Sequence, residues 1–428
     1  MRLSSNISKA LYGVVILAAL APSMAAARVT INSQCYMNVD DSQKQIVGTA
    51  TEKEFELASV SKMVTTFWAI NKLGPNYRYQ NKIHVTPLAG DTYDVHLEGD
   101  KDPYMGQEFI YFLVSELNKL GVTKIERLSF DENFDIFWSV RESKSQAARS
   151  FDPSIAQVAT TLESVLMRNK FFPTQYQETR RLAKSKFNLE MLPSANVQIR
   201  KVEPLTKERF LNSKTNETKT FVMNSAPLHR YLKEMNLYSN NYVADLIFAR
   251  LGGVDEFHKF IKSRLELDLS DIKFVNGSGD SEYAEHGKLY NKGSCSSLMK
   301  ILFAMREDLA KHGLDLPDVM AVSGAENSTL GGRYAGLPNT VVAKTGSVNP
   351  AITLSGMIAT EKGNLIFAVL MKTDGPADWT AARNKIRGEV NSIIAKNGGA
   401  AQVKYTPKTF LPFDSKSGLQ LEVMTSKN

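Results

Sequence analysis

The stretch LYSNNYVADLI, Leu237 to Ile247, carries two overlapping polar triplets. Tyr238-Ser239-Asn240 reads Y-x-N, and Ser239-Asn240-Asn241 reads S-x-N. Either triplet can assist a serine nucleophile, and both stand just ahead of an apolar run of helical character. Which of them carries meaning depends on what else the chain contains.

Upstream, Ser59-Val60-Ser61-Lys62 is an S-x-x-K tetrad within ELASVSKMVTTFWAINKLG. Val60, Met63, Val64, Phe67, Trp68 and Leu73 recur there at helical spacing, and Gly74 follows as a stop. Positions i and i+3 share one helix face, so Ser59 presents its hydroxyl beside the Lys62 amine. A neutral lysine, favoured by burial or by a second cation, can take the serine proton. The same letters recur at Ser270–Lys273 and Ser297–Lys300. The pattern places the first of these in a strand and the second inside a helix. Ser59 is expected to begin its helix, where the positive end of the dipole favours an alkoxide. A simple helix cap is the structural alternative for Ser59.

Downstream, Ala343-Lys344-Thr345-Gly346-Ser347 ends the β-branched run TVVAKTGS. Glycine in a strand permits close approach of another backbone. Lys344 offers positive charge, and Thr345 and Ser347 offer hydroxyls. S-x-N alone is common, recurring at Ser194, Ser347 and the extreme C-terminus. The order S-x-x-K, S-x-N, K-T-G, with the last on a strand flanked by sheet, describes a serine acyl-transfer site.

With those motifs the chain resembles the class C low-molecular-mass penicillin-binding proteins, D-alanyl-D-alanine carboxypeptidases and endopeptidases. NKLGPNYRYQNKI, VHLEGDKDPYM, LGVTKIERLSFDENFD, FVNGSGDSE and VVAKTGSVNPAITLSGMI are similar to that family's segments. The resemblance selects the S-x-N register, because in this family a helix of the type NYVADLIFARLGG follows that motif. It implies Ser59 as nucleophile, Lys62 as base, and Ser239, Asn241 and Lys344 as further catalytic groups. It implies substrate binding by Thr345, Gly346 and Ser347. It implies peptidoglycan stem peptides as substrate, β-lactam antibiotics as covalent inhibitors, and no cofactor or metal. The fold it implies is α+β: an antiparallel sheet flanked by helices, a helical subdomain, and one inserted mixed α/β domain. The alternatives are a β-lactamase-like hydrolase and a non-catalytic wall-binding protein on the same fold. No E-x-x-L-N loop lies between Asn241 and Lys344, which implies slow deacylation of penicillin.

Two departures stand out. Ser59 and Ser239 are 180 residues apart, room for one inserted domain where longer members carry two. SVNPAI also replaces the family's usual Leu-x-Gly after K-T-G, altering the pocket edge near Val348 to Pro350.

The remaining sequence sets the frame. At 428 residues the chain suggests about two domains. Strand pattern at Gln34–Asp40 and Ile46–Ala50 and three strong strands near the C-terminus predict one sheet closed by both ends of the chain. The division expected is a leader at 1–27, a discontinuous catalytic domain at 28–75 and 224–428, and an insertion at 76–223. Ala226 to Leu251 reads as helix throughout, and the tail after Gly398-Gly399 has no assignable structure.

Arg2 and Lys9, the apolar run Ala10–Pro22 and the small residues SMAAA read as a secretory signal peptide. No other run reaches ~18 apolar residues, so no membrane helix is expected in the mature chain. An exported, periplasmic protein follows. The formal charge is +7, falling to +5 once Arg2 and Lys9 are removed. There is no basic helix suited to nucleic acid. The six histidines include no H-E-x-x-H pair, against a zinc peptidase. Cys35 and Cys295 can form a disulfide after export or remain buried thiols, and spacing does not choose between these.

Overall fold

The computed structural model describes residues 29–136, 154–171 and 173–422, so the leader at 1–27 lies outside the described residues. Its main sheet has six antiparallel strands in the order Ala321–Val322, Val341–Val348, Ala351–Thr360, Gly363–Lys372, Ser33–Asn38 and Val47–Thr49. The N-terminal strand pairs with the far end of the chain, Ser33 opposite Leu370 and Asn38 opposite Leu365. Ala351–Thr360 is buried along its whole length, as its run of apolar residues requires of a strand covered on both faces.

Successive side chains of these strands serve different cores. Met357, Ile366, Ala368 and Leu370 face a helical body. Ile352, Leu354, Ile358, Phe367 and Val369 face Ile386, Val390 and Ile393 of the C-terminal helix Trp379–Lys396. The helical body holds Ser61–Leu73, Leu228–Tyr238, Asn241–Arg250, Gly253–Leu265 and Cys295–Ala310. At its centre the Trp68 ring meets Phe248 and Phe257 at 5.2 and 5.5 Å between centroids. A disulfide joins Cys35 on the sheet to Cys295 at the start of a helix, resolving the choice that spacing left open. Both cysteines are fully buried.

A second six-stranded sheet is mixed. Its order is Gln420–Leu421, Lys219–Asn224, Gln80–Pro87, Thr92–Glu98, Lys124–Phe130 and Gln198–Pro204. The pairs among the last three strands are parallel. The helix Gln107–Lys119 supplies the crossover that a parallel pair requires. This sheet has its own apolar core, in which Phe109, Phe112 and Leu117 pack with Leu128, Val158 and Phe413.

Several elements differ from the sequence expectation. The predicted helix over Ala226–Leu251 is two helices broken at Ser239. A short helix at Lys207–Ser213 has too little apolar period to be seen, burying only Phe210. The unassigned tail ends in Gln420–Leu421, which pairs with Phe221 and Val222. Ser270 lies in a turn, its hydroxyl on Asp268, rather than in a strand. Ser297 sits in a capping box with Ser294 in the first turn of its helix rather than mid-helix.

A small sheet prepares the site. Lys292–Gly293 pairs with Phe55–Glu56 on one side and Ile272–Lys273 on the other. One outer strand leads directly to Ser59 and the other to the glycine-rich loop Asn276–Asp280.

Candidate active site

The three motifs meet at one end of the main sheet. After Phe55–Glu56 the chain makes a tight 3-10 turn, Ala58–Val60, with Ala58 in the left-handed region at φ 48°. The helix proper starts at Ser61, and no side chain caps it. Ser59 is therefore not serving as a helix cap. Its residue is half-buried, whereas Lys62 is fully buried.

Lys62 Nζ lies 3.1 Å from Ser59 Oγ, 2.6 Å from Asn241 Oδ1 and 2.7 Å from the Ser278 carbonyl oxygen. The Asn241 and Ser278 oxygens can only accept, so Lys62 donates to both, and the same Nζ lies within hydrogen-bond reach of the Ser59 hydroxyl.

The break at Ser239 explains the S-x-N spacing. Ser239 ends one helix in the left-handed conformation, φ 59° and ψ 44°. Asn240 caps the next, its side-chain oxygen accepting from the Val243 N–H. The middle residue of the triplet is thus used by the backbone, and the flanking pair is delivered to the site. Ser239 Oγ accepts from Lys344 Nζ at 3.0 Å, and Asn241 accepts from Lys62. Tyr238, of the rival Y-x-N register, packs against the apolar cluster of Leu237, Leu330 and Tyr334.

Lys344 is fully buried and also donates to the Thr345 carbonyl oxygen at 2.7 Å. Thr345 Oγ1 donates to Thr329 Oγ1. Gly346 lies where the nucleophile turn crosses the strand. A Cβ there would stand 2.1 Å from Thr353 Oγ1 and 2.9 Å from the Leu57 carbonyl oxygen. Thr353 in turn donates to that same carbonyl at 2.8 Å. Glycine is required so that the turn bearing Ser59 can rest on the strand bearing Lys344.

The residues that hold Lys62 in place belong to no sequence motif. The loop Asn276–Asp280 supplies the Ser278 carbonyl, and Thr65 Oγ1 donates to the Gly277 carbonyl at 2.7 Å. Gly279, at φ 77°, faces the Ala58 carbonyl so closely that a Cβ would be 1.9 Å from it. Asp245 Oδ1 accepts from the Ser278 N–H at 2.8 Å, and Asp280 Oδ2 accepts from Asn241 Nδ2 at 3.0 Å. Burial pushes the Asp245 carboxyl up, and the charge of Lys62 opposes that shift. The one available signal was that Asp245 stands four residues after Asn241, hence on the same helix face. Among the described residues no cluster of His, Cys, Asp or Glu is arranged to hold a metal ion.

A hydroxyl against a buried amine, with a second amine–hydroxyl pair beside it, is equipped for acyl transfer through a serine ester. Comparison with known proteins points the same way. The D-Ala-D-Ala carboxypeptidase 3 (S13) family model matches residues 19–159 and 209–392. No curated protein matches the chain. Among solved structures, the predatory peptidoglycan endopeptidase Bd3459 of Bdellovibrio bacteriovorus is 38% identical, with TM-score 0.83 over 92% of this chain and 100% of its own. The same protein has been solved acylated by penicillin G, in complex with an immunity protein. A second predatory endopeptidase of that organism, Bd0816, is 35% identical with TM-score 0.82, over 92% of this chain and 100% of its own. Penicillin-binding protein 4 of Haemophilus influenzae shares the fold at 16% identity, TM-score 0.55, over 84% of this chain and 95% of its own.

Proposed function

The chain belongs to the D-Ala-D-Ala carboxypeptidase 3 (S13) family of serine peptidases, and we propose that it cleaves D-alanyl peptide bonds of peptidoglycan through an acyl-enzyme at Ser59. The observation that carries this reading is the 3.1 Å contact of Lys62 Nζ with Ser59 Oγ, beside the 3.0 Å pair of Lys344 and Ser239.

In the first step the Ser59 O–H proton passes to the free amine of Lys62 while Oγ bonds to the scissile carbonyl carbon. Backbone N–H groups of Ser59 and Ser347 hold the oxyanion, a contribution of on the order of 100-fold per donor. Asn241 binds the substrate amide. The Ser239 hydroxyl, paired with Lys344, hands a proton to the departing amine nitrogen as the C–N bond breaks, and the proton held by Lys62 replaces it on Ser239, leaving Lys62 neutral. Water then attacks the ester, giving a proton to Lys62, which passes it to Ser59 Oγ as the ester C–O bond breaks and the acid is released. Thr345 and Ser347, at the end of the strand beside Lys344, receive the carboxylate of the leaving residue.

Likeness to a peptidoglycan endopeptidase supports cleavage of D-Ala–diaminopimelate cross-links, and the family description supports release of terminal D-Ala. A penicillin-acylated relative supports β-lactams as covalent inhibitors. A leader-like N-terminus and a disulfide support export to an oxidising compartment, the periplasm. The unit we assign to catalysis is 28–75 with 224–428, interrupted by an insertion at 76–223, except that Leu411, Phe413 and Gln420–Leu421 of the tail join the core and sheet of the insertion.

The test is a fluorescent penicillin with the purified protein, followed by muropeptide analysis of digested sacculi. Covalent labelling of wild type and none of Ser59→Ala is expected. A folded wild type that stays unlabelled overturns the reading, and labelling of Ser59→Ala assigns the wrong nucleophile. Loss of cross-linked dimers marks the endopeptidase, and loss of terminal D-Ala the carboxypeptidase.

A further inference from the structure

The C-terminal helix brings a cation to the edge of the site that no motif announces. Arg383 lies one turn into Trp379–Lys396, and its Nη2 is 3.3 Å from Ser347 Oγ. Its guanidinium carbon stands 5.5 Å from the Trp379 ring centroid, within cation–π range. Its Nε is buried without a hydrogen-bond partner. Among the described residues no carboxylate forms an ion pair with Arg383 or with Arg333. Burial and the like charge of Arg383 push the Arg333 guanidinium below its ordinary value, so the two cations repel.

Partly buried, unpaired positive charge is costly unless a counter-charge arrives from outside. Here it stands beside the hydroxyl that ends the K-T-G-S strand. Because Arg383 donates to the Ser347 oxygen, the Ser347 O–H proton is directed away from Arg383, toward the substrate side.

We propose that Arg383 is a specificity-determining residue whose guanidinium, with the Ser347 hydroxyl, binds the free α-carboxylate of the D-residue on the leaving side of the scissile bond. This rests on the D,D-peptidase reading above and names the part of the substrate that the C-terminal helix recognises. Planar two-point pairing with carboxylate is what an arginine fork provides and a lysine does not. Both terminal D-Ala and a cross-link diaminopimelate residue present such a carboxylate at that point, so Arg383 serves either substrate. It rejects the same peptides when the carboxylate is amidated.

The experiment measures binding apart from turnover. In the Ser59→Ala background, calorimetry compares a diacetylated L-Lys-D-Ala-D-Ala tripeptide with its C-terminal amide. The acid is expected to bind more tightly, and Arg383→Gln in that background to weaken the acid by on the order of 10- to 100-fold while leaving the amide within about 2-fold. Arg383→Lys should restore charge but only part of the preference. The same tripeptides with the Ser59 enzyme should show the loss as a raised KM for the acid. An unchanged acid-to-amide ratio in Arg383→Gln overturns the proposal. So does equal weakening of both ligands, which marks a structural role, or equal binding of both by the Arg383 protein. Penicillin labelling of wild type reports separately on the peptidase reading, so failure of one is distinguishable from failure of the other.

Discussion

Lys344 Nζ and Ser239 Oγ stand 3.0 Å apart although 105 residues separate them in the chain. The lysine comes from an internal strand of the main sheet, and the serine from a left-handed break between two helices. Groups that act as one relay lose function together rather than additively. Ser239→Ala and Lys344→Met are each expected to slow acylation by a penicillin on the order of 100- to 10,000-fold. The double variant should be little worse than the more severe single one. Stopped-flow labelling measures this, and multiplicative losses would show that the two side chains act independently.

Asn241 offers a test of the charge state of Lys62. Its Oδ1 is 2.6 Å from Lys62 Nζ, and its Nδ2 binds Asp280. Asn241→Asp places a carboxylate against the amine and so favours the ammonium. Less free amine is then available at any given pH. Acylation at pH 7 should drop on the order of 10-fold or more, and the acidic limb of its pH profile should move upward by about one unit or more. Rates between pH 5 and pH 10 decide it. A slower enzyme with an unmoved limb would show that Lys62 is not the base.

The catalytic letters were legible because each motif is local. Ser59 and Lys62 are three residues apart on one turn, and Ser239 and Asn241 flank a cap. The supports of the site were not, because tertiary packing brings them in. Ser278 reaches Lys62 across 216 residues, and Arg383 reaches Ser347 from the far side of the sheet. The helix break at Ser239 was hidden for a related reason. A left-handed non-glycine residue is locally unfavourable, and only the surrounding fold over-determines it. The strand Gln420–Leu421 was unreadable because two residues carry no period, and the edge of Lys219–Asn224 creates it. For Cys35 and Cys295 the obstacle was an open choice between disulfide and buried thiols. The pairing of Ser33–Asn38 with Gly363–Lys372 determines it.

His96 sets a pH dependence of stability away from the site. It is 2% exposed, its Nδ1 meets Ser129 Oγ, and its ring stacks on Phe210 at 3.9 Å. Burial first, then the neighbouring His84, lowers its pKa to about 4. Below its ordinary value of 6.5 the unfolded chain binds a proton that the folded chain refuses. Stability is therefore lost as pH falls from 6.5 toward 4, by about 3 kcal/mol from this group. Asp102 works the other way, since burial raises it to about 7 and acidification then favours the folded state. The informative quantity is thus the difference from His96→Gln. Denaturant unfolding at intervals from pH 7 to pH 4 should show a smaller acid loss in the variant. Parallel curves would show that His96 is protonated in the folded protein.

The glycines at the crossing of turn, strand and loop give the sharpest mechanical test. A Cβ on Gly346 would meet Thr353 Oγ1 at 2.1 Å, and one on Gly279 would meet the Ala58 carbonyl at 1.9 Å. Both distances are far below contact, so Gly346→Ala must push the Ser59 turn off the Lys344 strand. Gly279→Ala must push the Ser278 carbonyl away from Lys62, and its φ of 77° adds strain for any other residue. A displacement of about 1 Å at a reacting group costs on the order of 100-fold in rate, so acylation should collapse in both variants while most of the fold survives. Gly388 is the control. It lies inside the C-terminal helix, and a Cβ there would have nothing within 4 Å, so Gly388→Ala should stabilise by roughly 0.5–1 kcal/mol and leave acylation unchanged. Labelling rates with far-ultraviolet circular dichroism separate these outcomes. Normal acylation in Gly346→Ala would mean that Ser59 and Lys344 do not depend on that crossing for their alignment.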